Sequence, residues 1–209
     1  MDKKIVITIA RGYGSGGKTV GKMLSKELGI PFYDREILYM ASDDSGINLN
    51  LFQKHDEEIN IGLFDSSTKK YSGGLIPPED SKFTSKENLF NYQAKIIKSL
   101  AEKESCIIVG RCADFILKDY DNVIKVFIWA PHETCVKTIM NMFAMSEKEA
   151  DKKIRKIDKH RSEHYHYYTC RDWDNARNYD LCLNSADLGF EGCVEAIKSY
   201  IEVLKNVKK

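Results

Sequence analysis

Eight residues near the start of the chain have the types and the spacing of a phosphate-binding loop. The pattern G-x-x-x-x-G-K-[ST] is matched by Gly12-Tyr13-Gly14-Ser15-Gly16-Gly17-Lys18-Thr19. Glycines let the backbone turn so that several N–H groups face a phosphate, and a following helix adds the positive end of its dipole. Lys18 would hold the outer phosphates, and the hydroxyl of Thr19 would ligate Mg²⁺. The motif predicts a site for ATP and Mg²⁺ built from Gly12, Gly14, Ser15, Gly16, Gly17, Lys18 and Thr19.

Two other interpretations of this loop exist. It could be a glycine-rich turn of purely structural use. It could also be a dinucleotide-binding turn, because Gly12, Gly14 and Gly17 fit G-x-G-x-x-G, and Asp34 follows at about the distance at which such folds place a ribose-binding acid. A dinucleotide site has no need for a lysine and a hydroxyl directly after the third glycine. Lys18 and Thr19 therefore favour the phosphate-binding loop.

The loop lies between a predicted strand and a predicted helix. Residues 5–9 are apolar and mostly β-branched, which is typical of a buried parallel strand. Apolar residues then recur at helical spacing from Val20 to Leu28, and Gly29 is a plausible end of that helix. Helical patterns alternate with further strand-like segments at residues 30–34, 105–110, 123–130 and 179–183. This alternation predicts a doubly wound α/β sheet.

Charged residues follow two of the predicted strands, at the edge of the sheet where ligands gather in such folds. Asp34 and Arg35 follow the second strand, and Arg111 follows the third. Asp34 could cap the next helix or bind a ligand, and the two roles are compatible. A cation such as Arg35 in a first helical turn opposes the dipole, a cost that an anionic ligand would offset. Arg111 could form a surface salt bridge or clamp an anionic substrate through two hydrogen bonds.

Two segments outside the predicted strands have unusual compositions. Residues 65–86 are rich in Ser, Lys, Gly and Pro, which indicates a loop or an insertion. A strongly charged helix is predicted from Ser146, where a capping box with Glu149 opens it, and its scarcity of apolar anchors suits a segment that opens and closes. Its histidines could bind a metal with a nearby cysteine, but basic neighbours would repel a cation, and their role stays open: His160, His164, His166 and Cys170.

Composition limits the function classes. The 209 residues form one domain, and a formal net charge of +1 argues against a dedicated nucleic-acid or membrane-surface protein. The chain shows neither a signal-peptide layout nor an apolar run of about 18 residues, so we expect a cytoplasmic protein. Six cysteines lack any C-x-x-C pair and are expected to be free thiols, with Cys106 and Cys182 buried in strands.

Together these residues resemble the nucleoside monophosphate kinases of the P-loop class, and most closely the cytidylate kinase-like family. The resemblance rests on residues 12–19, 32–38, 107–111 and 173–184 and on Asp158-x-x-Arg161-x-x-x-Tyr165. It implies a three-layer P-loop NTPase fold with a parallel five-stranded sheet. The core would comprise residues 1–42, 87–145 and 172–209, the helical acceptor-binding insertion about 43–86, and the lid about 146–171.

The resemblance also implies a reaction and its residues. ATP would phosphorylate a nucleoside monophosphate, CMP or dCMP by the name of the family, in a monomer or a dimer. Lys18, Arg155 and Arg161 would be catalytic, and the acceptor would be bound by Asp34, Arg35, Arg111 and Arg171. A nucleotide-binding or regulatory module without turnover is the alternative.

The sequence departs from the family pattern after the third strand. Cytidylate kinases place an acid directly after the Gly-Arg pair, whereas this chain has Cys112 there and its nearest acid is Asp114. The third strand ends without a conventional Walker-B acid, which leaves the second Mg²⁺ ligand open. The base of the acceptor is equally open from the residues alone.

Overall fold

The computed structural model describes residues 4–57, 71 and 73–207. Part of the predicted insertion, residues 58–70 and residue 72, lies outside the described residues. In the described chain no helix is both long enough and apolar enough to cross a membrane.

The described residues form one parallel five-stranded sheet, as predicted. The strand order is β2-β3-β1-β4-β5, so that β1, which leads into the glycine loop, lies in the middle. The strands are β1 (Val6–Arg11), β2 (Phe32–Tyr33), β3 (Cys106–Val109), β4 (Val123–Trp129) and β5 (Leu181–Asn184). The helices are α1 (Gly17–Leu28), α2 (Glu36–Ser45), α3 (Leu49–Glu57), α4 (Lys86–Lys103), α5 (Ala113–Ile116), α6 (His132–Phe143), α7 (Glu147–Thr169) and α8 (Ser185–Val207).

Helices cover both faces of the sheet and give the three layers of the predicted fold. Ile7 and Ile9 of β1 pack with α1 and α8 on one face, mainly against Leu24, Val194 and Ile197. On the other face, the helices α4, α5 and α7 contribute large side chains to a second cluster, among them Phe90, Ile97, Phe115, Tyr165 and Tyr168. Because both faces are covered, the inner strands are mostly apolar, as is typical of parallel strands of this kind.

The last strand differs from the prediction. It begins at Leu181 rather than at Tyr179, because Tyr179 packs against Phe127 and the carboxylate of Asp180 accepts a hydrogen bond from the backbone N–H of Lys125. All six cysteines lie in the described residues and are free thiols, and Cys106 is buried as expected. The prediction of a buried Cys182 is wrong: it is exposed, because β5 is an edge strand.

Helix α7 begins as predicted but is anchored more firmly than expected. Ser146 and Glu149 form the predicted capping box. The expectation of few apolar anchors is wrong for the C-terminal part of the helix, where Tyr165, Tyr167 and Tyr168 are buried in the core. Tyr168 stacks on Phe90 of α4 with ring centroids 3.8 Å apart. These tyrosines fix one end of the helix to the sheet.

The described part of the predicted insertion contains the end of α2, all of α3, and residues 71 and 73–85 before α4. Helix α2 runs to Ser45 and ends at Gly46, three residues beyond the predicted start of the insertion at 43. Helix α3 is held to α2 and α4 by Phe52, which is fully buried against Leu38 and Leu89. This packing places the C-terminal end of α3 beside α7.

Candidate active site

The glycine loop has a shape that only glycines allow at two positions. Gly14 and Gly16 have φ angles of 89° and 78°, in the left-handed region that side chains disfavour. A Cβ at Gly14 would lie 2.9 Å from the carbonyl oxygen of Cys135, and one at Gly16 would overlap the ring of Phe190. The loop is therefore a cradle that neighbouring elements close from outside.

Hydrogen bonds of Ser15 hold the loop in place, and several backbone N–H groups of the loop have no acceptor among the described residues. Ser15 Oγ lies 2.9 Å from the carbonyl oxygens of both Gly12 and Ile128, and Ser185 Oγ donates to the carbonyl of Ser15 at 2.7 Å. Ser15 thus acts by holding the loop. Within the described residues, no acceptor pairs with the backbone N–H groups of Gly14, Gly16, Gly17, Lys18 and Thr19. Unpaired N–H groups at a helix start are what a bound phosphate needs.

Lys18 follows the loop and bonds to Asp34 at the end of β2. Its ammonium lies 2.6 Å from the Asp34 carboxylate, and the lysine side chain remains 53% exposed. Asp34 does not cap α2: the N-cap residue is Arg35, and the Asp34 carboxylate turns toward Lys18 instead. The structure therefore joins a predicted ATP ligand to a predicted acceptor ligand. Arg35 is exposed and lines a cavity that Lys18 and Asp34 also line.

Arg111 lies where the sequence predicted, but most of its donors are already used. Its side chain is 6% exposed and donates to the Asp56 carboxylate at 2.8 and 3.3 Å, to Gln93 Oε1 at 3.0 Å and to the Asp34 carbonyl at 2.9 Å. Burial alone would raise the pKa of Asp56, but Arg111 outweighs it and holds that pKa below its ordinary value. Arg111 thus joins the insertion, α4 and β2 at one point.

The turn that carries Arg111 is strained. Gly110, Arg111 and Cys112 have φ angles of 73°, 57° and 53° in succession. Non-glycine residues in this region cost of order 1 kcal/mol or more each, and such strain concentrates at functional sites. The strain aims a buried arginine across the carboxyl ends of the strands.

Helix α7 contacts the glycine loop through the predicted Asp158–Arg161 pair. The Asp158 carboxylate accepts the backbone N–H of Tyr13 at 2.9 and 3.1 Å. Arg161 Nη1 donates to the Arg11 carbonyl at 3.0 Å and to Asp158 at 3.1 Å. Burial raises the pKa of Asp158 and lowers that of Arg161, with each partner offsetting part of the shift of the other. The predicted lid is therefore docked on the loop.

Two arginines that the sequence assigned to the site, Arg155 and Arg171, lie on the protein surface instead. Arg155 is on the outer side of α7, with its side chain 69% exposed and bonded to Asp151. Arg171 is exposed and lies over the ring of Phe115, 5.2 Å from its centroid. Lys153 and Lys156 of α7 line the cavity instead.

A cavity of about 670 Å³ lies between the strand ends, α3 and α7. Its lining includes Lys18, Asp34, Arg35, Arg111 and Arg161. Its volume is in the range that holds a small-molecule substrate. The cavity therefore brings together five of the predicted site residues.

Another cavity residue, Arg11, is the last residue of β1 and was not predicted from the sequence. Part of Arg11 is accessible through the cavity, yet protein surrounds it closely enough that burial, aided by Arg161, lowers the pKa of its guanidinium to about 9. A Cβ at Gly110 would overlap its guanidinium, and one at Gly17 would lie 2.5 Å from its Cβ. Two glycines thus leave room for this side chain.

Asp114 of α5 is a buried carboxyl three residues after Arg111. It lines the cavity and accepts a hydrogen bond from the Tyr165 hydroxyl at 2.6 Å. Burial raises the pKa of Asp114 to about 6, partly offset by that hydrogen bond. A carboxylate here can accept a hydrogen bond from a substrate.

The histidines of α7 pack against α3. His164 lies with its ring centroid 5.9 Å from that of His55, and its Nδ1 lies 3.7 Å from Cys112 Sγ. Burial lowers the pKa of His164 to about 3 and that of His55 to about 4, so both are neutral at pH 7. His160 Nε2 lies 3.1 Å from the Asp56 carbonyl, while His166 is exposed. In the part of the chain described, no group of three potential metal ligands converges.

Comparisons with known proteins identify the family of this chain. The model of the cytidylate kinase-like family matches residues 6–187. Curated relatives include a cytidylate kinase of Archaeoglobus fulgidus, 25% identical over 95% of this chain and 96% of that protein. Another is a cytidylate kinase of Pyrococcus horikoshii, 23% identical over 98% of this chain and 92% of that protein.

Solved structures show the same fold. An uncharacterized protein from Eubacterium ventriosum is 30% identical, with a TM-score of 0.71 over 96% of this chain and 99% of that one. A shikimate kinase from Bacteroides thetaiotaomicron has a TM-score of 0.53 at 14% identity, over 95% and 98% of the two chains, which supports the P-loop kinase fold alone. The family match covers the glycine loop, the strand ends and α7, and the chain belongs to the cytidylate kinase-like family.

Proposed function

We propose that the protein transfers the γ-phosphoryl group of ATP to the phosphate of a nucleoside monophosphate, with CMP or dCMP as the acceptor. One observation carries the proposal: Tyr13 and Lys18 of the glycine loop line the same cavity as Arg11, Arg111 and Arg161. A nucleotide-binding module needs the loop but has no use for several arginines placed beside it. A kinase needs both, because two phosphate groups must meet there.

The loop fits ATP and Mg²⁺ by its shape and its donors. Phosphate oxygens would accept the unpaired N–H groups of residues 14 and 16–19, and Lys18 would leave Asp34 to bind them. Thr19 is exposed, so its hydroxyl is accessible, and Asp34 supplies a carboxylate. Both are hard oxygen donors of the kind that Mg²⁺ binds together with phosphate and water. When bound, Mg²⁺ would supply charge neutralisation on the phosphates.

The remaining residues would align the acceptor and exclude water. A phosphate oxygen is already a competent nucleophile, so the protein needs no general base and acts by positioning and electrostatic stabilisation. Arg161, together with Lys153 and Lys156 of α7, lies where charge would build up during transfer. Helix α7 is docked on the loop at Tyr13 and would help to shield the reaction from hydrolysis. Arg155 and Arg171 have no part in this proposal, because they lie outside the cavity.

Asp114 supports an acceptor base that carries an amino group. Its carboxylate lines the cavity, and Tyr165 holds it in place. Cytosine presents an amino donor at the edge where uracil presents a carbonyl, and a carboxylate favours the donor. This is the residue-level support for CMP over UMP. ATP and nucleoside monophosphates are cytoplasmic metabolites, and the cytoplasm is the location we propose.

The test is a panel of nucleoside monophosphates incubated with protein and ATP-Mg²⁺, with ADP release followed over time. CMP and dCMP should give the fastest release. ADP release at the same low rate with every monophosphate and with none would contradict the proposal.

A further inference from the structure

Arg11 lines the cavity and is closely surrounded by protein, yet its guanidinium has no ionic partner among the described residues. Three other cations of the cavity each contact a carboxylate of their own: Lys18 pairs with Asp34, Arg111 with Asp56 and Arg161 with Asp158. For the guanidinium of Arg11, no hydrogen bond or ion pair is found among residues 4–57, 71 and 73–207.

An unpaired guanidinium in such a place costs stability. Burial disfavours its charged form, and the nearby charges of Arg161 and Arg111 disfavour it further. Asp34 and Asp56 offset only part of this cost, because each is bonded to another cation. A dianion entering the cavity would remove the cost by giving Arg11 the acceptor it lacks.

The surrounding residues are arranged to admit Arg11 and to keep it in place. Gly17 and Gly110 leave the space that its side chain and guanidinium fill. Its backbone is fixed on β1 by pairing with Ile128 and by the bond from Arg161 to its carbonyl. A rigid support of this kind holds a charged group ready for a ligand at little further cost.

We propose that Arg11, rather than Arg111, makes the direct contact to the phosphate of the acceptor. Arg111 then acts as a positioning residue, since its donors hold Asp56, Gln93 and the Asp34 carbonyl. The ligand class is a phosphate monoester, and the inference rests on the proposed kinase function.

The test is calorimetric titration of CMP and of cytidine into protein whose loop is filled with a non-hydrolysable ATP analogue and Mg²⁺. Arg11→Met should weaken CMP binding by about 10- to 150-fold, as expected when a hydrogen bond to a charged group is lost, and leave cytidine binding unchanged. Arg11→Lys should fall between the two, because an ammonium lacks the planar fork. Arg177→Met, an exposed arginine outside the cavity, is the matched control and should bind CMP like the unmodified protein.

A stability measurement separates ligand binding from a structural role. Without ligand, Arg11→Met should melt at the same temperature as the unmodified protein or about 2–4 °C higher, because it removes an uncompensated buried charge. A clear fall in melting temperature would make Arg11 structural and overturn the proposal.

Other outcomes are equally decisive. Equal CMP affinity in Arg11→Met and in unmodified protein would overturn the proposal, and so would loss of the ATP analogue with CMP binding intact. If the unmodified protein binds none of the monophosphates, inorganic phosphate is titrated in their place. Arg11-dependent phosphate binding would then support the anion site while the nucleotide acceptor fails, and phosphate binding independent of Arg11 would overturn both.

Discussion

At the scale of single residues, Lys18 has to exchange partners for the loop to work. It bonds to Asp34 at 2.6 Å, and phosphate would replace that carboxylate. Lys18→Ala should weaken binding of an ATP analogue by about 1.5–3 kcal/mol, the contribution of a hydrogen bond to a charged group. The measurement is calorimetric titration. Lys22→Ala, an exposed lysine one turn further along α1, is the control, and equal affinity in Lys18→Ala and this control would remove the loop from the mechanism.

Asp114 carries the prediction on base preference. Asp114→Asn keeps an oxygen that can accept from Tyr165 but replaces the carboxylate charge with an amide, which can also donate. The ratio of kcat/KM for CMP to that for UMP should fall by about tenfold or more, because the amide no longer favours an amino group over a carbonyl. Steady-state kinetics at saturating ATP measure the ratio. An unchanged ratio would place the base elsewhere in the cavity.

At the scale of elements, the packing of α3 against α7 depends on neutral histidines. His164 faces His55 and Asp56 of α3, Arg111, and His160 of its own helix. The folded pKa values of His164 and His55 are about 3 and 4, below their unfolded value. Their contribution is therefore complete above the unfolded pKa and is lost as the pH falls from about 6.5 toward 4, because the unfolded chain binds the protons first.

The prediction is a shallower pH dependence in His164→Gln. Between pH 6.5 and 4, its free energy of unfolding should fall less steeply than that of unmodified protein. The two slopes should differ by about 1 kcal/mol per pH unit, which corresponds to the uptake of one proton. Asp114 acts in the opposite direction, because its raised pKa favours the folded state as it takes up a proton near pH 6, but it is common to both proteins. Urea unfolding at several pH values measures the slopes. His166→Gln, an exposed histidine, is the control, and identical slopes in all three proteins would contradict the account.

At the scale of the whole molecule, the sheet and the loop were predictable because their signals are local. Five apolar segments and one eight-residue motif suffice to predict the parallel sheet and the place of the glycine loop within it. The edges of elements were less predictable. Whether Tyr179 belongs to the last strand, and whether Cys182 is buried, is decided by packing across the sheet and by which strand lies at its edge.

The partners of the site residues could not be read from the sequence. Asp56 meets Arg111 across 55 residues, and Tyr13 meets Asp158 across 145. The tyrosines at the end of α7 are visible in the sequence, but their burial could not be predicted, because neighbouring Lys, Arg and His residues on the other faces are typical of a solvated helix. Arg11 gave no signal at all, since an arginine at a strand end is usually solvated. Only the three-dimensional pairing of its neighbours leaves it without an ionic partner among the described residues.

The central claim is phosphoryl transfer from ATP to a nucleoside monophosphate, and the most direct test follows the phosphoryl group itself. ATP labelled at its γ-phosphate is incubated with CMP, Mg²⁺ and the protein, and the labelled products are separated. Label should appear in the β-phosphate of CDP, with one CDP formed for each ADP, and this product should be lost in Lys18→Ala. Label that stays in ATP, or appears only as inorganic phosphate with every monophosphate supplied, would contradict the claim.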